Sequence, residues 1–523
     1  MNQRLPDRIL RSGAKSFLLL FCTSVFAASP MKINETFTVT SQLGQLQGKV
    51  NGKIATFYGV PYAKNPFTEG RRFQAPQAIE SWDGVLNSSV ISLPVPQPSR
   101  GRKTELIGAP GDLTLNIWTP TSAINSTSKL PVMVWIPGGA FIREDASEGV
   151  YDGSSFAENG VIVVTVNYRV GVDGFMHLEG APDNRGILDQ ILALQWVKDN
   201  IDDFGGDPQQ VTLFGQSAGA ESVAILLAAE KANGLFHKAI MQSPPMQSVT
   251  QAEASRIAAV FSKKLNVPAT ISGISSIPYP QLVETVIDMG QTITNRSDWG
   301  QLSWGGTAFL PVIDNNLIVN TPITNLLKNI NPSIPIIVGS TDQEARLYLV
   351  PSGEVDSTKA DKVSLFLDDL KLSGMPLNSY SQGMNKDAYG DIYAQIQSDF
   401  TFRMPALHIA EQLSKNGNSV WHYNFSWKSL AFAGRLGAAH FVDVPFTFNT
   451  IHSPDASLFM GSQPPACLAQ EMHNQWINFA KSGKANWTPY DLDKRATMRF
   501  DVTSEEVNDP GSEIRLLWDK YAF

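Results

Sequence analysis

The chain has 523 residues, 43% hydrophobic and 17% charged, with a formal charge of −8, a globular balance that excludes the apolar-poor, highly charged make-up of a disordered chain. The acidic excess also argues against nucleic-acid binding. A chain this long could hold roughly two or three average domains, yet α/β enzymes often run as one unit with large loop insertions.

Residues 1–28 read as a signal peptide. Arg4, Arg8, Arg11 and Lys15 precede an apolar run from Phe17 to Phe26, and Ala27 and Ala28 offer a small-residue cleavage site. The run is about ten residues, short of the ~20 that span a bilayer, so the expectation is cleavage with no stable membrane span afterwards. A secreted or periplasmic protein follows, with residues 29–523 as a single catalytic domain. Loss of the leader removes those four positive charges and Asp7, which takes the formal charge from −8 to −11. Phe21 before Cys22 is bulky where lipid attachment expects a small residue. Cys467 then remains alone, so no intramolecular disulfide is possible, and it reads as a buried small hydrophobe.

Further along, Ser92 to Pro110 reads as a surface loop. Val132 to Ile136 and Val161 to Val166 are apolar, β-rich runs of the kind found in buried parallel strands. Pro137-Gly138-Gly139-Ala140-Phe141 directly follows the first. Ile187, Ile191, Leu194 and Val197 recur at helical spacing before Phe204-Gly205-Gly206, which makes a strand, helix, strand crossover with the run Val211 to Phe214. Val249 to Trp304 reads as a helical insertion. Ile334 to Val338 and Val420 to Phe425 are further strands. The fold class expected is α/β, with a central, mostly parallel twisted sheet and helices on both faces.

Gly215-Gln216-Ser217-Ala218-Gly219 lies between the strand Val211–Phe214 and a small-residue helix from Ala218 to Ala229. That is the strand-turn-helix context of a nucleophile elbow, in which glycines two residues either side remove the Cβ atoms that would clash. A serine hydroxyl is a weak nucleophile at neutral pH, so it needs a base and a carboxylate to orient that base. The chain order in such folds is serine, acid, histidine, which sets His177 aside. His237 and His408 lie in helix-like patterns, His422 in a strand and His473 in a helical run with Trp476 and Phe479. His440 follows the small-residue loop Gly434 to Ala439 and is the expected base, ahead of His452. Glu344 follows a strand and the turn Gly339-Ser340-Thr341, near where α/β active sites gather; Asp342 is its close rival. Acyl transfer also needs N–H donors aimed at the developing oxyanion, and Gly139, Ala140 and Ala218 can supply them.

Together these residues resemble the type B carboxylesterase and cholinesterase family, from about Phe37 almost to the C-terminus. The strings that carry the resemblance are Gly59-Val60-Pro61-Tyr62-Ala63 with Arg72-Phe73, Val134 to Phe141, Asn167-Tyr168-Arg169, Leu188-Asp189-Gln190, Phe204-Gly205-Gly206-Asp207-Pro208, the Ser217 elbow and Trp476-Ile477-Asn478-Phe479-Ala480. The resemblance implies an α/β-hydrolase fold and a serine carboxylesterase with a Ser217, Glu344, His440 triad. It favours Glu344 over Asp342 and supports Gly139, Ala140 and Ala218 as the oxyanion hole. The family's early disulfide would join the positions held here by Val95 and Asp112, so both halves are absent.

The loop from Pro96 to Gly111 contains no aromatic residue where cholinesterases hold a quaternary ammonium by cation–π attraction, so choline esters are poor candidates. Arg100, Arg102 and Lys103 stand there instead and read as a solvated tip, with a preference for anionic esters as the alternative. Family members usually carry Glu before the serine; Gln216 replaces that anion, and as a modulator near His440 it should let activity persist to lower pH. Pro244-Pro245 replaces the usual glycine. The substrate expected is a small-molecule ester, and no metal or organic cofactor is called for. Two other functions fit the resemblance: a lipase, or a neuroligin-like adhesion ectodomain that keeps the fold without catalysis.

Overall fold

The computed structural model describes residues 35–99, 105–300, 302–381 and 388–520. The leader, Cys22 and the basic tip at Arg100, Arg102 and Lys103 lie outside them.

The backbone is organised by one sheet whose central strands are buried on both faces. β1 (Thr36–Thr40), β2 (Gln45–Asn51), β3 (Ile54–Ala63) and β4 (Leu113–Pro120) lead in antiparallel to β5 (Leu130–Ile136), β6 (Ile162–Val166), β7 (Gly206–Gln216), β8 (Lys238–Gln242), β9 (Ile336–Thr341), β10 (Val420–Phe425), β11 (Ala496–Phe500) and β12 (Glu505–Asn508). Their order across the sheet is β1-β2-β3-β4-β6-β5-β7-β8-β9-β10-β11-β12, with the run from β6 to β11 parallel. The expected crossover from β6 to β7 is present, but it passes over β5, which lies between them.

Alternation decides which residues meet which layer. Along β5, Val132, Val134 and Ile136 enter one core with the helices α1 (Arg185–Asn200) and α2 (Ala218–Ala228). Met133 and Trp135 enter the opposite core with α3 (Ala466–Ser482), which supplies Leu468, Met472, Trp476 and Phe479. A parallel sheet must be covered on both faces, and these two cores cover it. Val249 to Trp304 contains the helices Gln251–Lys264 and Tyr279–Ile293, as an insertion. Three expectations are corrected. Gly339-Ser340-Thr341 is the last part of β9 rather than a turn, because these residues pair with Tyr423, Asn424 and Phe425. The loop from Ser92 is not wholly superficial: Gln97 is buried and its side chain exchanges hydrogen bonds with the backbone of Glu144. Cys467 is exposed, since it stands at the outer start of α3 before the buried stripe begins at Leu468.

Several of the shared strings turn out to be fasteners. Arg169 and Asp189 form a two-pronged ion pair at 2.8 and 2.7 Å with both side chains fully buried, and the Arg169 backbone N–H donates to the same carboxylate. Tyr168 Oη donates to Pro137 O at 2.8 Å, which ties this segment to the glycine loop after β5. Arg72 pairs with Asp173 at 2.8 Å in a second buried bridge. Removing one partner of a buried pair strands the other charge and costs about 3–5 kcal/mol. Asp189→Leu should therefore lower the unfolding free energy in a denaturant titration by about that amount; loss of the exposed Arg499–Glu505 pair should leave it within error, and equal effects would refute the fastener role.

Candidate active site

The register of the parallel strands brings the C-terminal ends of β5, β7, β8, β9 and β10 to one edge. Gly215 pairs with Ile136, Gln216 with Gln242, Gln242 with Gly339 and Thr341 with Phe425. Ser217, the glycine loop, Ser243 and Glu344 therefore all emerge within a few residues of the same rim, where α/β folds place their sites.

Ser217 sits between β7 and α2 at φ 58°, ψ −128°, a conformation that costs a non-glycine residue of order 1–3 kcal/mol and persists only where the surroundings impose it. Its backbone N–H donates to Gln242 O at 2.9 Å. A Cβ on Gly219 would lie 2.0 Å from Ile136 O, so the glycine lets α2 press against β5. Ala218 is the first residue of α2, where an N–H has no partner within the helix. Across from it, Gly139 at φ 128° and Ala140 at φ 55° turn the loop after β5, and among the described residues their N–H groups donate to no backbone carbonyl. A Cβ on Gly138 would meet Gln216 O at 2.5 Å, so this loop lies directly against the elbow.

Glu344 and His440 are brought together. His440 Nδ1 hydrogen-bonds Glu344 Oε2, and the His440 backbone N–H donates to Glu344 O at 3.1 Å. The other carboxylate oxygen accepts from Ser243 Oγ at 2.6 Å and from the Thr341 N–H at 2.7 Å. Both side chains are buried, and the imidazole is flanked by Phe402 at 4.3 Å and Tyr348 at 5.9 Å between centroids. The other ring nitrogen, His440 Nε2, lies 2.9 Å from Gln216 Nε2. Ser217 is the next residue along, but its Oγ makes no hydrogen bond to His440 in this arrangement.

The rivals lie elsewhere. Asp342 is half-buried, its carboxyl pushed up by desolvation and drawn down in part by Arg403. His452 is exposed, and His408 lies in the helix Met404–Lys415. His422 is in β10 beside Thr497 Oγ1 and burial pushes its pKa down to about 3. His473 in α3 bonds Thr447 O and Ser155 Oγ. His237 is not helical; it leads into β8, its N–H bonded to Val211 O. Two groups near Glu344 and His440 carry no sequence signature: Ser243, and Asp443, which accepts from Gln242 Nε2 at 2.9 Å and Tyr423 Oη at 3.0 Å. Burial pushes Asp443 up to about 6.

Ser217 opens onto a cavity of about 940 Å³ whose walls include Ala140, Phe141, Glu221, Tyr348 and Phe402. Ala140, Ser217, Ala218, Tyr348 and Phe402 all line this cavity, and Phe402 and Tyr348 are also the rings that flank His440.

Residues 35–513 match the model of the carboxylesterase family. The chain is 33% identical over 494 residues to the para-nitrobenzyl esterase of Bacillus subtilis, covering 91% of this chain and 97% of that one. It is 30% identical over 492 residues to the phenmedipham hydrolase of Pseudarthrobacter oxydans, covering 90% and 95%. Among solved structures, a carboxylesterase of Geobacillus stearothermophilus superposes with a TM-score of 0.80 at 31% identity, over 92% of this chain and 99% of that one.

Glu221, one helical turn after Ser217, is fully buried, and among the described residues neither carboxyl oxygen meets a donor in full hydrogen-bonding geometry, the backbone of Gln247 being the nearest approach. Burial raises its pKa well above 4.5, and the backbone of Gln247 counters this only in part. A folded state that holds a proton the unfolded chain releases loses stability as pH rises above 4.5. Glu221→Gln should therefore be more stable than the parent by a margin that widens as pH rises above 4.5, read from denaturant midpoints across pH. A margin constant with pH would show that the carboxyl is ionised and paired in the fold.

Proposed function

The chain belongs to the carboxylesterase family and is a carboxylic ester hydrolase, and from that premise we propose that it acts through Ser217, His440 and Glu344 with an acyl-enzyme intermediate. Ser217 Oγ attacks the ester carbonyl carbon as its proton passes to His440 Nε2. The carbonyl oxygen takes the electron pair and accepts hydrogen bonds from the N–H groups of Gly139, Ala140 and Ala218. Collapse expels the alkoxide, which leaves as the alcohol with the proton from His440. Water, deprotonated by the same imidazole, then attacks the acyl carbon, and Ser217 departs with the proton to release the acid. Glu344 holds the imidazole with its proton on Nδ1 and stabilises the cation that forms.

The observation that carries this reading is the buried Glu344–His440 contact beside the residue that precedes Ser217. The cavity's aromatic walls, and the para-nitrobenzyl esterase among the relatives, support esters with an aromatic alcohol or acyl part. For the wild type we expect p-nitrophenyl ester hydrolysis and a fluorophosphonate label on Ser217. Ser217→Ala should lose both, with kcat down by roughly 10⁴-fold or more. Retained turnover in that variant, or a label on another residue, would refute the assignment; a chain-length series of the same esters reads out acyl preference and separates esterase from lipase behaviour.

The leader at residues 1–28 supports export to a secreted or periplasmic location. N-terminal sequencing of the protein recovered outside the cytoplasm should begin close to residue 29, and an intact Met1 would overturn it.

A further inference from the structure

We infer that Gln216 is a positioning residue that competes with Ser217 for the single lone pair of His440, holding the base neutral and off the nucleophile until its amide gives way. The inference rests on the triad reading and adds a resting state to it.

The chemistry follows from which ring nitrogen carries the proton. Glu344 already accepts from Ser243 Oγ and the Thr341 N–H, and His440 Nδ1 faces its second oxygen. A carboxylate can only accept, so Nδ1 is the protonated nitrogen and Nε2 of the neutral ring is left with one in-plane lone pair. Gln216 Nε2 lies 2.9 Å from it, in a site where both residues are buried. An amide nitrogen can only donate, so this bond exists with neutral imidazole and is lost on protonation. The same lone pair must receive the Ser217 proton, and Ser217 Oγ has no hydrogen bond to the ring here. The amide's Oε1 lies over Gly138, where a Cβ would come within 3.1 Å of it, so the glycine leaves the room that the amide occupies.

The other ionisable groups around the ring do not replace this control. Glu344 meets the opposite nitrogen, Asp443 is held by Gln242 and Tyr423, and Tyr348 and Phe402 cover the ring with their faces. A glutamate at 216 would be an acceptor and would call for a proton on Nε2, stabilising the imidazolium. The glutamine as placed donates Nε2–H to the neutral base, a bond the imidazolium cannot accept. Position 216 therefore sets the protonation state of the resting base, and displacement of its amide precedes acylation.

The test is the rate constant for inactivation of the full-length enzyme by a fluorophosphonate, measured across pH, because it reports Ser217 reactivity without product release. Gln216→Met keeps the bulk and removes the donor; its plateau rate should rise about two- to tenfold, the factor a net hydrogen bond is worth, and its acid limb should move to higher pH. Gln216→Glu should move the acid limb further up and lower the rate at neutral pH. A Met variant with a slower or unchanged plateau, or a Glu variant whose acid limb stays where the parent's lies, would overturn the competition. Thermal melts of both variants identify misfolding, and the Glu variant, being isosteric, carries the test if the Met variant does not fold. Should Ser217→Ala still be labelled, the triad reading itself fails; a label confined to Ser217 with unaltered profiles sinks only the role of Gln216.

Discussion

The hydrogen bond between Glu344 and His440 is the constraint on which the rest of the site depends. A buried carboxylate is costly unless its oxygens are matched, and here Ser243, Thr341 and the imidazole match them. Each of those partners is delivered by a different strand end: Thr341 closes β9, Ser243 follows β8, and His440 returns on the long connection after β10. The parallel register is thus what makes the carboxylate tolerable, and the carboxylate in turn fixes which nitrogen of the base faces the elbow. In the proposed mechanism, an error of one residue in the β8–β9 pairing would remove the support before it touched the serine.

Around this point the fold spends stability. Ser217 holds a backbone conformation that residues with a Cβ avoid, Glu221 keeps a desolvated carboxyl within the cavity wall, and Asp443 is buried close to the base. Rigid fasteners at a distance offset these costs. The Arg169–Asp189 pair and the Tyr168 hydroxyl lock the segment after β6 to α1 and to the glycine loop, so the N–H groups proposed for the oxyanion are held by packing rather than by their own hydrogen bonds.

Much of this was legible in the sequence where local pattern and tertiary demand coincide. The apolar runs around Val132, Val161 and Val420 are strands within a residue or two, because a parallel strand buried on both faces has to be apolar throughout. The elbow was legible for the same reason, glycine being the residue that fits where Gly219 meets Ile136 O. What escaped depends on pairing across long separations. Gly339-Ser340-Thr341 has the composition of a turn but completes β9 because β10 lies beside it, and His237 looks helical yet is drawn into the start of β8 by Val211. Ser243 and Asp443 carry no local signature: the first meets Glu344 across 101 residues and the second meets Gln242 across 201. Cys467 was misjudged because a lone cysteine is so often buried, whereas its place at the outer start of α3 leaves it in solvent. The placement of Gln216 beside the base was implied by resemblance alone, and only the distance to His440 Nε2 shows that it meets the lone pair directly.

The central claim, that Glu344 holds His440 as a neutral base with its proton on Nδ1, is tested most directly by nitrogen NMR on enzyme labelled with 15N-histidine. One imidazole is expected to show a strongly downfield Nδ1 proton and an unprotonated Nε2 near neutral pH, a signal absent in His440→Ala and lost in Glu344→Ala. A His440 signal that is protonated on Nε2 instead, or that is unaffected by removal of Glu344, would contradict it.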